Sequence, residues 1–316
     1  MKIAIIIPTY NEEITIRDVI TEYHNQQKNA EIYIIDNNST DNSNKIAQET
    51  LSKLKCKGAV LFEKKQGKAY AIRKAFNEID ADIYVMLDAD LTYKATDLPL
   101  LLGPVQKGYA DMCIGDRLSE GDYYSENKRL MHNFGNKLVL NLVNVLFRTN
   151  LKDIMTGYRV FNKKFVKNFP ILSTGFELET EMTLFALDKR FTIIEVPIHY
   201  KDRPPDSKSK LNTISDGTKV LKMIFSIFQD YKPFAFYTIC SLILLCFGLL
   251  TGVPVIIEFI LTRYITKVPS AILSTGLIIL SVIFFSIGLI LHTLVQHFRF
   301  LFEHNLNIYS LITKDK

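Results

Sequence analysis

Short β-rich runs alternate with helix-like patterns through the first hundred residues of the chain. The runs fall at residues 2–7, 31–35, 58–62 and 83–87, and their continuous apolar character is typical of strands buried on both faces. Apolar residues at helical spacing fill the intervals, at about 13–26, 42–54 and 68–78. This alternation predicts an α/β domain with a mainly parallel sheet.

The pattern is less regular in the second hundred residues. A helix is predicted at about 128–147, and strand-like segments at 158–161 and 193–198 are expected to complete the sheet. A single α/β domain over residues 1–212 accounts for this part of the chain.

Two long stretches near the end of the chain, 234–257 and 268–296, contain no Asp, Glu, Lys or Arg. Each exceeds the ~20 apolar residues that cross a ~30 Å hydrocarbon core, which predicts two transmembrane helices. Before them, residues 214–228 carry apolar side chains at helical spacing with Lys219 and Lys222 opposite, which indicates an amphipathic helix lying on the bilayer.

These patterns set the expected boundaries after the α/β domain. A juxtamembrane amphipathic helix is expected at 213–232, transmembrane helices at 233–258 and 268–296, and a tail at 297–316. The first residues lack the pattern of a signal peptide, so the domain and the tail are expected on the same side of the membrane. Lys and Arg flanking the spans indicate that this side is the cytosol.

Charge and cysteine content exclude some classes. The net charge of +5 suits a surface facing anionic lipid headgroups better than a nucleic-acid binder, which would concentrate basic residues far more. The four cysteines form no metal-type pairing, so a reducing compartment fits. The spans lack the intramembrane charges expected of a transporter or a flippase subunit.

Polar side chains cluster where three of the predicted strands end, at residues 8–12, 36–41 and 88–90. In open α/β sheets, ligands bind outside the carboxyl ends of the strands, and these ends share one edge. We therefore expect the three clusters to line one cleft.

The strongest chemical candidate is Asp88-Ala89-Asp90, which directly follows an apolar strand. Two carboxylates one residue apart can hold a hard cation such as Mg²⁺ or Mn²⁺, which completes its shell with phosphate oxygens and water. A cation here would neutralise a diphosphate leaving group. The alternative is a turn or helix N-cap, where Asp is also favoured. The two other clusters at the same edge favour the metal.

Two further segments carry weaker signals. Asp36 ends a strand, where a carboxylate can accept hydrogen bonds from a nucleobase or ribose, while residues 39–41 would cap the next helix. Gly67-Lys68 precedes a helix, and a glycine at a helix N-terminus beside a lysine can serve an anion.

Taken in order, these segments resemble the family-two glycosyltransferases of the GT-A fold. Later motifs look like the branch of dolichyl-phosphate mannosyltransferases and undecaprenyl-phosphate glucosyltransferases. These motifs are Gly115-Asp116-Arg117, residues 153–159 and 175–181, Pro197-Ile198-His199-Tyr200, Arg203 and Ser209-Lys210-Leu211. By motif the resemblance covers about the first two thirds of the chain, and the two spans match by architecture.

The resemblance implies roles for the matching positions. Asp88 and Asp90 would hold the metal, with Asp90 the more direct ligand. The nucleotide sugar would be bound by Pro8, Tyr10, Glu12, Asp36, Lys68, Asp88, Ala89 and Asp90. Phosphate of the acceptor would face Arg117, Arg129 and Lys210. The catalytic residues would be Asp88, Asp90, Arg117 and Arg203.

The chain departs from the family pattern at two positions. Several relatives carry Gln two residues after the second Asp as an extra metal ligand, whereas Thr92 stands here. Relatives often have Asp-Gly where this chain has Asn37-Asn38, so position 37 lacks a carboxylate.

The resemblance also implies the reaction, an inverting transfer of a hexose-type sugar from a UDP- or GDP-linked donor to undecaprenyl or dolichyl phosphate. A phosphate monoester with a second pKa near ~6 is largely dianionic at neutral pH, so it can attack without a general base. The protein must then supply alignment and charge neutralisation. Glu177, Glu179 and Glu181 could include a base, or could form a polar helix face or partner arginines.

We therefore expect an integral protein of a bacterial or archaeal plasma membrane, with its catalytic domain in the cytosol. Its expected partners are the nucleotide sugar, the polyisoprenyl phosphate and membrane lipids, with no nucleic acid, and small residues in the spans permit a homo-oligomer. One alternative is a polysaccharide synthase, which would normally carry more spans and a Q-x-x-R-W motif, whereas this chain has no Trp. The other is a degenerate scaffold, against which Asp88, Asp90 and Arg203 argue.

Overall fold

The computed structural model describes residues 1–119, 130–173, 178–201 and 224–314, without the side chains at 130–134 and 309–314. The chain forms two compact units, Met1–Asp216 and Gly217–Lys316.

The first unit is built on a sheet. Its strands are β1 Ile3–Thr9, β2 Glu31–Asp36, β3 Lys57–Phe62, β4 Ile83–Met86, β5 Met112–Asp116, β6 Arg159–Asn162 and β7 Ile193–Pro197. The strand order is β3-β2-β1-β4-β6-β5-β7. Neighbouring strands are parallel except around β6, which is antiparallel to both β4 and β5. The predicted α/β class with a mainly parallel sheet is confirmed.

Seven helices accompany these strands within the described part of the unit. They are α1 Ile16–Gln26, α2 Ser43–Leu54, α3 Lys68–Glu78, α4 Leu98–Gln106, α5 Leu130–Phe147, α6 Lys163–Asn168 and α7 Leu178–Asp188. In α1 the buried residues Ile16, Val19, Ile20 and Tyr23 recur at three- and four-residue spacing, which is the core-facing stripe of an amphipathic helix. The central strand β4 is buried at every position, which explains its uninterrupted apolar run.

Several elements of the second hundred residues were not predicted. The helix α4 has the sequence Leu-Pro-Leu-Leu-Leu-Gly-Pro-Val-Gln, which offers no polar face and contains a proline inside the helix. The strand β5 and the helices α6 and α7 were also missed. Helical periodicity is visible in a sequence only where a polar side contrasts with the apolar one, and α7 is buried over most of its length.

The second unit contains two long helices, α8 Pro233–Thr262 and α9 Val268–Lys314. Both are long and apolar enough to cross a membrane. They pack through small residues, because a side chain at Gly252 would collide with Ser274. The Ser274 hydroxyl donates a hydrogen bond to the carbonyl of Gly248 at 2.8 Å. Such close backbone approach is typical of helix pairs in lipid.

The helix α9 does not end at residue 296, where the span was expected to end. Its 47 residues extend about 70 Å at about 1.5 Å per residue, more than twice a hydrocarbon core of ~30 Å. The segment expected as a tail at 297–316 therefore continues the helix to Lys314. Of the expected juxtamembrane helix, residues 224–231 are helical and residues 213–223 lie outside the described part of the chain.

Candidate active site

The polar segments lie at the carboxyl ends of adjacent strands. β1 lies between β2 and β4, and Thr9 at its end is paired with Asp36 at the end of β2. Asp88 and Asp90 follow β4 on the other side of β1. In the β1 segment the side chains of Pro8, Tyr10 and Glu12 are half-buried, as is that of Asn11. The topology thus brings the predicted nucleotide-sugar residues of these strands to one edge.

Hydrogen bonds join the segments after β1 and β2. The side-chain oxygen of Asn11 accepts from the backbone N–H of Thr40 at 2.8 Å, and the hydroxyl of Ser39 accepts from the N–H of Asn11 at 3.1 Å. The hydroxyl of Ser43 accepts from the N–H of Glu12 at 2.7 Å. These contacts make residues 39–43 a scaffold that supports the β1 segment.

Asp36 is buried and already oriented by its neighbours. One carboxylate oxygen accepts from the N–H of Ser39 at 3.1 Å, and the other from the side-chain amide of Asn44 at 2.8 Å. A carboxylate offers about four lone-pair sites, so Asp36 keeps acceptor capacity toward a ligand.

Asn37 connects two segments at this edge of the sheet. Its amide NH₂ donates to the carbonyl of Lys65 at 2.6 Å, and its oxygen accepts from the N–H of Gly67 at 2.6 Å. An aspartate could accept from Gly67 but could not donate to Lys65. The amide therefore sets the position of the segment that leads to Lys68.

Lys68 lies between two carboxylates from distant parts of the chain. Its Nζ is 2.5 Å from Oδ1 of Asp88 and 2.6 Å from Oε1 of Glu179. The side chains are 12% exposed for Lys68, 26% for Asp88 and 6% for Glu179. Two acids and one ammonium leave the group with a formal charge of −1. Lys68 was predicted to bind an anionic ligand. In the structure, the anions that it contacts are the carboxylates of Asp88 and Glu179.

The electrostatics keep Lys68 charged. Burial works to lower the pKa of Lys68, but the nearby charges of Asp88 and Glu179 outweigh it and raise the pKa above its ordinary value. Glu179 is engaged with Lys68, and the carboxylate of Glu181 accepts from the N–H groups of Leu172 at 2.9 Å and Ser173 at 3.0 Å. Both acids thus have partners other than a substrate, which disfavours either as a general base.

Asp90 is buried, with 3% of its surface exposed. Its Oδ1 accepts from the hydroxyl of Thr92 at 2.6 Å and from the Thr92 N–H at 3.2 Å. The hydroxyl of Thr15 donates to the carbonyl of Ala89 at 2.6 Å and fixes the peptide between the two acids. Thr92, two residues after Asp90, thus orients its carboxylate.

The acids fit a hard cation that arrives with phosphate. Within the described residues, no three His, Cys, Asp or Glu side chains are grouped as a metal site. Mg²⁺ in nucleotide sites usually takes one or two carboxylates and fills its shell with phosphate oxygens and water. Asp88 and Asp90 supply that number, so the residues present fit a metal held jointly with a diphosphate.

Arg117, expected to face phosphate, has a buried carboxylate partner. Its Nε is 2.7 Å from Oδ2 of Asp153 and its NH2 is 3.0 Å from Oδ1, which is a bidentate pair. Burial works to raise the pKa of Asp153, but Arg117 and backbone N–H donors outweigh it and lower the pKa below its ordinary value. The guanidinium also lies 5.8 Å from the ring centroid of Tyr200. A phosphate at Arg117 would share it with Asp153.

The segment 153–159 carries two residues whose importance was not predicted. Gly157 has no room for a side chain, because a Cβ there would collide with the Asp88 carboxylate and come within 2.9 Å of Lys68 Nζ. Arg159 is fully buried and donates to the carbonyls of Ile154 at 2.7 Å and Thr156 at 2.9 Å. Burial lowers the pKa of Arg159 to about 10. The motif was noted in the sequence, but its contacts join residues far apart along the chain.

Three predicted site residues, Arg129, Arg203 and Lys210, lie outside the described residues, as does Glu177. The described part of the site therefore comprises the donor edge and the Arg117 pair.

The mainly parallel sheet with paired acids at its carboxyl edge agrees with the resemblance of the sequence to the GT-A glycosyltransferases. The family model for Glycosyl transferase family 2 matches residues 4–169, more than half of the chain. The chain belongs to this family and is a glycosyltransferase.

Two relatives from Haloferax volcanii cover much of the chain. One is named Glycosyltransferase AglJ and is 31% identical over 237 residues, 74% of this chain and 75% of that protein. The other is named Dolichyl-phosphate hexose transferase and is 27% identical over 227 residues, 71% of this chain and 93% of that protein. The predicted resemblance to the polyisoprenyl-phosphate branch is confirmed.

A solved structure supports the fold. The glucosyl-3-phosphoglycerate synthase of Mycobacterium tuberculosis, crystallised with Mn²⁺ and UDP-glucose, superposes with a TM-score of 0.55 at 15% identity. The match covers 72% of this chain and 78% of that one. The GT-A-like fold followed by two long apolar helices is therefore confirmed.

Proposed function

We propose that this glycosyltransferase moves a hexose-type sugar from a UDP- or GDP-linked donor to a polyisoprenyl phosphate in the membrane, with inversion at the anomeric carbon. The observation that carries the proposal is the shared edge of Asp36, Asp88 and Asp90 in a chain that also has two membrane-length apolar helices. A relative named Dolichyl-phosphate hexose transferase supports the acceptor class.

The donor half of the site supports nucleotide binding. The buried Asp36 carboxylate is oriented by Ser39 and Asn44 and retains acceptor capacity for N–H or O–H groups of a nucleoside. Tyr10 and Glu12 stand on the adjacent segment, held by the Asn11 and Ser43 contacts. In this proposal they enclose the nucleoside, and the diphosphate lies toward Asp88 and Asp90.

A divalent cation at Asp88 and Asp90 would stabilise the charge that develops on the departing diphosphate. Thr92 and Thr15 hold this loop in place through contacts within the protein. Such preorganisation matters because the stabilising groups need not move during the reaction. We place the domain on the cytosolic side of the plasma membrane, because Lys and Arg residues flank the two spans on the side of the domain.

No described acid is needed as a base in this scheme. The acceptor phosphate is largely dianionic at neutral pH, so an oxygen lone pair attacks the anomeric carbon as the bond to the diphosphate breaks. Glu179 and Glu181 instead hold Lys68 and the backbone at residues 172 and 173. Arg117, braced by Asp153, would help two anionic substrates approach each other.

A transfer assay on membranes tests the proposal. Membranes containing the full chain are incubated with Mn²⁺, undecaprenyl or dolichyl phosphate and labelled UDP-glucose, UDP-N-acetylglucosamine or GDP-mannose, and the lipid extract is analysed. We expect one donor to label a lipid monophosphate sugar, and Asp90→Asn to reduce labelling by about a hundredfold or more, as losses of charge-stabilising groups do.

Membranes with Lys74→Met, which removes the half-buried α3 lysine that pairs with Glu78, serve as the control and should retain activity. Label in a polysaccharide rather than in a lipid phosphate would contradict the polyisoprenyl-phosphate acceptor and indicate a polysaccharide acceptor instead. Full activity of Asp90→Asn would contradict the proposed site.

A further inference from the structure

Lys68 is a cation placed beside an expected metal ligand. Its Nζ contacts Asp88 at 2.5 Å, and Asp90 follows two residues later along the same loop. The two sides of this ammonium are occupied by acids from α7 and from the loop after β4. A lysine so close to the expected metal site pairs with Asp88, one of the expected ligands. Its positive charge also repels the metal ion.

The surrounding backbone limits the room of the ammonium. Gly157 lies so close that a Cβ there would come within 2.9 Å of Nζ and would collide with the Asp88 carboxylate. The N–H of Gly157 donates to the hydroxyl of Tyr93 at 2.9 Å, and Arg159 holds the preceding carbonyls. These contacts fix the segment that encloses the Lys68–Asp88 pair.

We propose that Lys68 makes metal binding depend on the nucleotide: without a diphosphate the ammonium disfavours a divalent cation at Asp88 and Asp90, and the diphosphate charge reverses the balance. This inference rests on the proposed metal-dependent transfer. Like charges a few ångströms apart in a partly buried site repel each other strongly enough to control metal loading. A diphosphate contributes several negative charges and oxygen ligands.

Glu179 has the opposite effect in the same scheme. Its side chain is 6% exposed and its carboxylate lies 2.6 Å from Nζ, so it partly neutralises the lysine. Removing Lys68 should strengthen metal binding in the absence of nucleotide, while removing the Glu179 charge should weaken it. General damage to the site would weaken binding in both variants, so the opposite signs distinguish this role from a structural one.

The experiment measures Mn²⁺ binding to the full chain in detergent by electron paramagnetic resonance, alone and with saturating UDP or GDP. We expect one nucleotide to tighten Mn²⁺ binding to the wild-type protein by at least about tenfold. Without nucleotide, Lys68→Met should bind Mn²⁺ about tenfold more tightly than wild type, and Glu179→Gln severalfold less tightly. The control Lys74→Met removes a lysine of the same helix that pairs with Glu78, and it should behave as wild type.

The double variant Lys68→Met/Glu179→Gln covers the case in which Lys68→Met fails to fold. It keeps the formal charge of the wild-type group while freeing Asp88 from the ammonium, so it should also bind Mn²⁺ more tightly than wild type without nucleotide. If folded Lys68 variants bind Mn²⁺ without nucleotide no more tightly than wild type, while nucleotide still strengthens Mn²⁺ binding in wild type, the inference about Lys68 is overturned. The proposed metal-dependent transfer is then unaffected. If neither nucleotide strengthens wild-type binding, the inference and the proposed metal use both fail, and lipid labelling in the transfer assay then decides the remaining proposal.

Discussion

The two sides of the candidate site are held together by different forces. Around β1 and β2 the loops are joined by hydrogen bonds in which at most one partner is charged, and those of Asn11 and Asn37 are neutral. Around β4 and β6 the structure relies on buried charges, namely the Lys68 group, the Arg117–Asp153 pair and Arg159. Removing one side of a neutral hydrogen bond leaves a polar group without its partner. Removing one member of a buried ion pair leaves an uncompensated charge, which is more costly. The charged side should therefore be the more sensitive to substitution.

Asp153→Ala should have the largest effect. It removes the bidentate partner of Arg117, and both side chains are largely buried, with 13% of Arg117 and 3% of Asp153 exposed. We expect the free energy of unfolding of the catalytic unit to fall by about 3–5 kcal/mol, measured by urea unfolding in detergent. A loss within about 0.5 kcal/mol would show that the pair is dispensable and would remove the contrast between the two sides.

Acid titration provides a check on the same pair. The pKa of Asp153 is lowered in the folded protein, so its contribution to stability is present above the unfolded pKa of about 3.9 and is lost as the pH falls through the lower folded pKa. Asp153→Asn should lack this part of the acid dependence. Identical pH profiles for the two proteins would contradict the assignment.

Gly157→Ala should have an intermediate effect concentrated on activity. The added methyl group must displace the Asp88 carboxylate and Lys68, and overpacking of this kind typically costs about 1–3 kcal/mol. Sugar transfer should fall more than stability, because the displaced groups belong to the proposed site. The matched control is Gly103→Ala in α4, where a Cβ meets no atom within 4 Å and the helix should gain about 0.5–1 kcal/mol. Equal activity of the two variants would contradict the close approach.

Asn37→Ala should have the smallest effect of the three. It removes one hydrogen bond to Lys65 and one from Gly67 on the neutral side, and we expect a loss of about 1–2 kcal/mol. Because the segment leads to Lys68, donor KM should rise. Asn168→Ala loses only an exposed hydrogen bond to the Lys164 carbonyl and should leave both quantities near wild type. A larger loss for Asn37→Ala than for Asp153→Ala would reverse the proposed ranking.

Sequence patterns predicted the parts of the site that depend on strand ends. Asp36, Asp88 and Asp90 follow apolar strands, and parallel strands must bring such ends to one edge, so their proximity could be expected from a single chain. The α/β class and the two apolar helices were predicted for the same reason, since each has a strong periodic or compositional signal.

The partners of the basic residues could not be predicted in that way. Lys68 meets Glu179, and Arg117 meets Asp153, only because α7 and the segment before β6 fold back against the sheet. Nothing local in the sequence distinguishes a lysine that binds a ligand from one that binds an acid of the protein. The buried Arg159 shows the same limit, since its partners are carbonyls and a hydroxyl, which no sequence pattern marks.

The most direct test of the central claim is the position of the metal in crystals of the chain grown with Mn²⁺ and the nucleotide diphosphate that it prefers, located by anomalous scattering at the manganese edge. Our account predicts a peak at direct coordination distance, about 2 Å, from a carboxylate oxygen of Asp90, with the diphosphate on its far side and the nucleoside beside Asp36. A nucleotide bound away from this edge, or manganese without contact to Asp88 or Asp90, would contradict it.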